Sequence, residues 1–523
     1  MSRSKRSFSE TGCEFSSRSC SGALRALVVR SNAVGDRRYR SDNRRLRVPS
    51  ISALSACRGA ETPGTVLVKF INLTRRTEIG ANSYYLEAGS RGLVLDCGMH
   101  PRDDGEGALP SWKAIDGRRI DAILISHAHQ DHIGTLPVLM RRQPNAPVFM
   151  TEATGVIGAA LLHNSVNVMT REREELGTVL YPLFTHRETE RASDRWHFCR
   201  YRQTYNTSAE HATPDADLSF EFWDGGHVLG SSGVLLRVEG RTTLYTGDVN
   251  FNDQTIMSAA IFPETSVDVL ITECTRGDHP TPPGWSRASE EQRLVRAIEA
   301  TFQRGGCLLI PVFALGKTQE TLAMFYKFRR QKLLPDFPIY IGGLSSKMTE
   351  IYDRRANQSR RQLPRLQLLQ DVAPFVLTGQ TINDSPARAG RVYALSSGMM
   401  TPKTLSNIFA RRIVENPRHS ILFVGYADPE SPGGILRAAK PGDAVRLDPD
   451  SPTQTLRCQV EQFQFSAHAS RESLIAYALK LAPKKILLVH GDPGAVEWMR
   501  TQLSMQLPDS DVIVPAPGAE IEL

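Results

Sequence analysis

No C-x-x-C pair occurs in this chain: its eight cysteines, at 13, 20, 57, 97, 199, 274, 307 and 458, are scattered over 523 residues. That spacing excludes zinc-ribbon and dithiol signatures, and in a chain of this length it predicts a reduced, cytoplasmic protein. Long apolar runs are missing too. The longest, around Cys307 to Leu315, contains Pro311 and is too short to cross a bilayer, so no membrane protein is expected. The apolar cluster near the start, Ala23 to Val29, is broken by Arg25, so a secretory signal is not expected. No unit of roughly 20–50 residues recurs, which excludes a solenoid. Gly316-Lys317-Thr318 looks like the end of a phosphate-binding loop, but position 311 is Pro where that loop needs Gly. No ATPase is expected.

What is present is ordinary in bulk and uneven in detail. With 41% apolar and 23% charged residues, the composition suits a globular chain, and its length suggests two to four units or one unit with a large insertion. The net charge of +7 belongs to the start of the chain. Residues 1–60 carry 13 Lys and Arg against 4 Asp and Glu, which leaves 50 basic and 52 acidic residues elsewhere. Bulk charge is therefore no argument for a nucleic-acid groove in the body. Residues 1–62 are expected to be a disordered, basic, Ser- and Arg-rich tail, with a transit peptide or an over-long start as alternatives.

Beyond the tail the text alternates short apolar runs with Gly, Asp and Asn. Val66 to Phe70, Ser83 to Leu86 and Gly92 to Asp96 read as strands, and Ala122 to Ser126 as a strand buried on both faces. Gly233 to Val238, Arg241 to Tyr245 and Val267 to Thr272 follow, the last two ending at Gly247-Asp248 and Glu273. From about residue 286 strands and helices alternate. Helices are expected over Ser289 to Phe302 and Thr318 to Arg330, and strands over Leu308 to Phe313, Pro338 to Ile341, Arg391 to Leu395 and Ile421 to Gly425. That alternation predicts an α/β unit with a largely parallel sheet. From about Thr455 the first texture returns, with a helix over Arg471 to Leu481 and a strand over Lys485 to Val489. One unit is interrupted by another and then completed.

The strongest chemical signal is Ser126-His127-Ala128-His129-Gln130-Asp131-His132, four potential ligands directly after a buried strand. A strand end fixes the backbone, and the loop beyond it turns several side chains toward one point. Imidazole and carboxylate are donors that zinc accepts, with manganese as a substitute. Gly225-Gly226-His227 adds a His between residues that permit close backbone approach, and Gly247-Asp248 adds an Asp at a strand end. Singly, each of these reads as a packed histidine or a turn residue. In this order, the motifs resemble those of the metallo-β-lactamase superfamily, and Leu95-Asp96-Cys97-Gly98 resembles its first motif, whose Asp orients the ligands.

The candidate last ligand, His490, follows Asp248 by 242 positions, with the whole second α/β unit between them. This resembles the β-CASP nucleases, in which a cap is inserted into the lactamase-like domain. Thr272-Glu273-Cys274-Thr275 resembles motif A of that branch, Phe465-Ser466-Ala467-His468-Ala469-Ser470 motif B, and Leu488-Val489-His490-Gly491 motif C. Pro311 to Lys317, Ser396 to Met399 and Phe423 to Tyr426 match family segments almost word for word, and within them Lys317, Ser397 and Gly398 are candidate phosphate- or RNA-contacting residues. The likeness runs from about residue 66 onward and points to the cleavage-and-polyadenylation endonuclease type and its bacterial and archaeal relatives.

The resemblance implies an α/β fold: a metallo-β-lactamase αββα sandwich over 63–275, completed by 455–523, and interrupted by a β-CASP cap over 276–454. It implies two zinc ions, one on His127, His129 and His227 and the other on Asp131, His132 and His490, bridged by Asp248. It implies attack on phosphorus by a metal-bound hydroxide, with His468 protonating the leaving 3′-oxygen and Glu273 orienting His468. Asp131, His468 and Glu273 are the expected catalytic residues, Asp96 the expected supporting one. The products are a 5′-phosphate and a 3′-hydroxyl. Single-stranded RNA is the implied substrate, and pairing of two copies through the lactamase-like parts is implied as well.

Three features depart from the family pattern. Motif A continues Arg276-Gly277-Asp278 where relatives commonly have Tyr before the Gly; Tyr340 to Ser345 lacks the usual Asp and Pro; and Pro402-Lys403 replaces Gly-Gly. All bear on substrate choice and leave the ligand set whole. A DNA nuclease of the crosslink-repair type usually carries Val in motif C, so His490 argues against it. A non-catalytic scaffold subunit loses ligands, and none is lost here.

Overall fold

Apolar runs too short for helices form two packed sheets. The computed structural model describes residues 68–523 apart from 178, 209–217 and 239. The tail expected over 1–62 lies outside the described residues, as do Val66 and Leu67 of the first expected strand. Among the described residues the first sheet runs Glu520–Glu522, Val68–Asn72, Tyr84–Ala88, Arg91–Leu95, Ala122–Leu124, Val148–Thr151 and Trp196–Cys199. The second runs Asp511–Ile513, Lys485–Val489, Val269–Glu273, Arg241–Tyr245, Ser232–Val238, Leu218–Asp224 and Thr204–Tyr205. Their inner faces meet in one cluster in which Phe70, Tyr84 and Phe149 from the first sheet pack with Phe220, Phe222 and Tyr245 from the second. Burying each such ring stabilises the sandwich by roughly 1.5–3 kcal/mol. Helices cover both outer faces, which gives the αββα layering: Leu136–Arg142 and Glu152–Leu176 on one side, Arg471–Leu481 and Pro493–Gln506 on the other.

The interruption is visible in the pairing. Val269–Glu273 lies parallel to Lys485–Val489, a strand more than two hundred residues later, and Val68–Asn72 pairs with Glu520–Glu522. Between them a third sheet runs Phe375–Leu377, Ile339–Gly342, Val392–Leu395, Leu308–Pro311, Ser420–Phe423 and Gln459–Gln462, every pair parallel. Its last strand lies beyond residue 454, where the cap was expected to end. Helix Arg287–Gln303 begins where the Ser286 hydroxyl accepts the Ser289 N–H, a cap worth about 1 kcal/mol.

Contacts from the third-sheet layer steady the loop that carries His227 and the segment beside it, whose Gln254 amide donates to the Gly226 and His227 carbonyls. The Leu229 N–H donates to the Tyr352 hydroxyl at 3.0 Å, and the buried Glu320 carboxylate accepts the Thr255 and Ile256 N–H groups at 2.8 and 3.0 Å. The 25-residue helix Glu152–Leu176 was not expected from the sequence. It carries two glycines and only a weak apolar stripe, so its period is blurred. Among the described residues no helix is long and apolar enough to cross a membrane.

Candidate metal centre

Every side chain expected to hold metal stands at or just past a strand end on one rim of the sandwich. Ala122–Leu124 feeds His127, His129, Asp131 and His132; Ser232–Val238 and Leu218–Asp224 flank the His227 loop; Arg241–Tyr245 leads to Asp248, and Lys485–Val489 to His490. Close approach needs glycine at two points. Gly247 has φ +52, and a Cβ there would lie 2.8 Å from the Ser126 Cβ; Gly226 has φ +64, and its Cβ would lie 2.4 Å from the Ala260 nitrogen. Asp96 and His490 are themselves in the left-handed region, at φ 58 and 48, where Asp and His are tolerated better than most residues.

Two groups of donor atoms result, each within 4.8 Å: His127, His129, His227 and Asp248, and Asp131, His132 and His490. In the first, the His127 Nε2 and the His227 Nε2 each lie 3.1 Å from the His129 Nδ1. One ring nitrogen offers a single proton or a single lone pair, so it cannot make a well-directed hydrogen bond to both rings at once. In the second, the His490 Nε2 is 3.3 Å and the His132 Nε2 3.7 Å from the Asp131 Oδ2. Asp248 stands between the groups, its Oδ2 3.5 Å from the His127 Nε2 and its Oδ1 3.3 Å from the His132 Nε2. That buried Oδ1 has no hydrogen-bond partner. Converging lone pairs around an unpartnered carboxylate oxygen are costly unless a cation balances them, so the residues present fit divalent metal.

The ring tautomers agree with that fit. Asp96 accepts the His132 Nδ1–H at 2.7 Å, so the neutral ring has its lone pair on Nε2, facing the centre. The same carboxylate accepts the Ser126 N–H at 2.6 Å, the Ser126 hydroxyl at 2.7 Å and the Tyr245 hydroxyl at 2.6 Å. His227 donates its Nδ1–H to the Ala467 carbonyl at 2.9 Å, so its Nε2 is likewise free to ligate. Burial, reinforced by neighbouring histidines, pushes His127 and His227 well below the usual imidazole range, and burial also lowers His129. Neutral rings are what ligation needs. Burial opposes charge on His132 and His490, but Asp248 and Asp131 outweigh it and raise both. Burial opposes ionisation of Asp131 and Asp248 too, and the same histidines hold both below the carboxylate range.

Beside this centre the Glu273 Oε2 accepts the His468 Nδ1–H at 3.0 Å, while its Oε1 accepts the Val249 N–H at 2.7 Å. Glu273 is buried and His468 is part-exposed, so the ring reaches the open side of the cluster. Asp248, Glu273 and His468 also share one 4.8 Å group. Lys317 donates to the Phe465 carbonyl, three residues before His468. Ser397 and Gly398 lie elsewhere, in the loop after Val392–Leu395. There Ser397 accepts from the Thr401 N–H at 3.2 Å and Gly398 faces the Phe313 ring, and neither shares a hydrogen bond with the histidines. Sequence reasoning gave no role to Asn82, whose Nδ2 donates to the Asp131 carbonyl at 3.0 Å. It also gave none to Tyr245, or to the Thr275 hydroxyl, 2.9 Å from the His490 Nδ1. No spacing in the text marks Asn82 or Tyr245. Thr275 stands inside motif A and was legible there.

Comparison with known families finds three matches along the chain. Residues 76–300 match the metallo-beta-lactamase superfamily, 318–436 the Beta-Casp domain, and 453–515 the Zn-dependent metallo-hydrolase RNA specificity domain. Among curated proteins, the Endoribonuclease YSH1 of Saccharomyces cerevisiae is 26% identical over 88% of this chain and 60% of its own length. The Cleavage and polyadenylation specificity factor 73 of Drosophila melanogaster is 28% identical over 82% of this chain and 60% of its own. The RNase J-like protein of Methanocaldococcus jannaschii is 27% identical over 79% of this chain and 90% of its own. The chain thus spans about three fifths of the eukaryotic relatives it matches. A crystal structure of a protein of unknown function from Enterococcus faecalis superposes with a TM-score of 0.50 at 14% identity, over 88% of this chain and 100% of that one, a likeness of fold.

Proposed function

The chain belongs to the metallo-β-lactamase superfamily, in its β-CASP branch, and we propose that it is a metal-dependent ribonuclease that hydrolyses phosphodiester bonds of single-stranded RNA. The observation that carries this reading is the position of Asp248, between two imidazole-rich donor groups and beside the His468–Glu273 pair. Two divalent cations, zinc by donor type and manganese as a substitute, would polarise a phosphoryl oxygen and acidify water there near neutral pH. His127, His129 and His227 would hold one, Asp131, His132 and His490 the other, and Asp248 both.

The remaining work falls to residues that hold no metal. His468 uses its Nδ1–H on Glu273, so its Nε2 is left to carry a proton to the leaving 3′-oxygen. Glu273 is fixed by the Val249 N–H and orients the ring. Asp96 keeps His132 in the ligating tautomer. The products would be a 5′-phosphate and a 3′-hydroxyl. The match to an RNA specificity domain over 453–515, which contains His468 and His490, supports RNA over DNA, as do relatives named for endoribonuclease activity. A reducing, cytoplasmic setting is part of the proposal, supported by the five described cysteines all being unpaired. Pairing of two copies enters on the family resemblance alone.

The deciding experiment incubates the zinc-loaded protein with end-labelled and internally labelled RNA and DNA of one sequence. Cleavage of RNA to 5′-phosphorylated products is expected, and the ladder distinguishes internal from 5′-terminal attack. Cleavage of DNA alone, or of neither polymer, refutes the reading.

A further inference from the structure

Motif A is followed by a cation, Arg276, whose guanidinium has no hydrogen-bond or ion-pair partner among the described residues. Arg276 is half-buried, one residue past Thr275, whose hydroxyl lies 2.9 Å from the His490 Nδ1. Gly277 pins the loop, since a Cβ there would lie 2.1 Å from the Ala495 carbonyl oxygen. Among the described residues Glu472 and Glu273 act on Arg276 through space only, and burial outweighs them and lowers its guanidinium. Both acids are committed to other donors: Glu472 to the Thr281 hydroxyl at 2.9 Å and the Arg471 guanidinium at 3.2 Å, Glu273 to His468 and the Val249 N–H. A second cation is close by. Burial foremost, then Arg287 and Arg276, lower the Lys317 ammonium to about 8 against the pull of Glu320. Glu320 in turn is taken up by Arg287 and two backbone N–H groups. Crowded like charges beside a catalytic rim, with Glu472, Glu273 and Glu320 all engaged elsewhere, are relieved by a bound anion.

We propose that Arg276 grips a phosphodiester flanking the one that is cut, and so sets the preference of the site for a polymer over an isolated diester. The guanidinium fork suits a phosphate where a phenol does not. This rests on the ribonuclease reading.

The test compares the full-length, zinc-loaded wild type with Arg276→Gln and Arg276→Lys. Substrates are an oligoribonucleotide, the same oligonucleotide with one neutral methylphosphonate at each position around the cut in turn, and bis(p-nitrophenyl) phosphate. Zinc content and melting temperature are checked for each protein. On all-phosphate RNA Arg276→Gln is expected to lose about tenfold in kcat/KM, chiefly through KM, with Arg276→Lys between it and wild type. The loss should be several-fold smaller on the single diester. One methylphosphonate position should cost the wild type about tenfold and Arg276→Gln almost nothing, since the contact is already gone. A wild type insensitive at every flanking position, or equal sensitivity in both proteins, overturns the assignment. If the wild type cleaves no RNA at all, the ribonuclease reading has failed; if it cleaves RNA and Arg276 proves indifferent, only this inference has.

Discussion

Replacing Asp96 by Asn removes one charge and leaves the shape, and the structure fixes what must follow. Four donors meet this carboxylate. Two are hydroxyls, on Ser126 and Tyr245, which rotate to suit. Two are not adjustable: the Ser126 N–H on Oδ1 and the His132 Nδ1–H on Oδ2. An amide presents one acceptor, so whichever way it lies its NH2 opposes one of the fixed donors. If the NH2 faces His132, the ring must move its proton to Nε2, the nitrogen that would ligate. If it faces Ser126, a buried N–H beside His127 is orphaned, at about 1–3 kcal/mol. Both outcomes weaken one metal equivalent by about 10–100-fold, the range for a supporting partner of a ligand histidine. Zinc competition against a chromophoric chelator should resolve one loosened and one near-normal equivalent, with RNA cleavage falling in parallel and returning in excess zinc. Two equivalents of wild-type affinity in Asp96→Asn would show that the tautomer reasoning is wrong.

His468→Ala should lower RNA cleavage by about 10²–10⁴-fold while zinc content stays near that of the wild type. Loss of zinc with activity would make His468 a ligand and end its role as proton donor. A pH effect follows from Lys317, whose ammonium burial brings down to about 8. Because the free protein loses that cation as pH rises through this value, kcat/KM for RNA should decline on the alkaline side. Lys317→Met should flatten that limb, and an unaltered profile would exclude the ammonium from RNA binding. A chain beginning at Thr62 should still hydrolyse short single-stranded RNA, measured at low and moderate salt. A lower affinity in the shortened chain, with the longer form losing affinity more steeply as salt rises, would identify the basic segment as a tether.

The candidate ligand cluster was legible because His127 to His132 are crowded behind one buried strand, a density that turns rarely show by chance. His227, Asp248 and His490 were legible only as members of an ordered series, since each alone is an ordinary residue. The insertion of one unit into another was readable from texture that breaks off and resumes, while the αββα layering was implied only by the family resemblance. What escaped depends on distance in space. Tyr245 touches Asp96 across 149 positions, and Asn82 meets His132 across 50, with no local pattern to announce either. Helix Glu152–Leu176 escaped because its glycines and polar surface leave little periodicity, its packing being set by tertiary contacts with the first sheet. Strand ends were missed by one or two residues, among them those where apolar runs continue past the last ladder bond, as after Leu124 and Pro311.

The strand Lys485–Val489 is an interior member of the second sheet, yet it is made long after its neighbour Val269–Glu273. While a ribosome is still copying the message, Val269–Glu273 waits with one edge bare, and on the proposed ligand set the second cation lacks His490. A half-finished chain therefore has an open sheet edge and an incomplete clamp in the same place. On the proposed function, hydrolysis would begin only after residue 490 has emerged and its strand has paired with that edge.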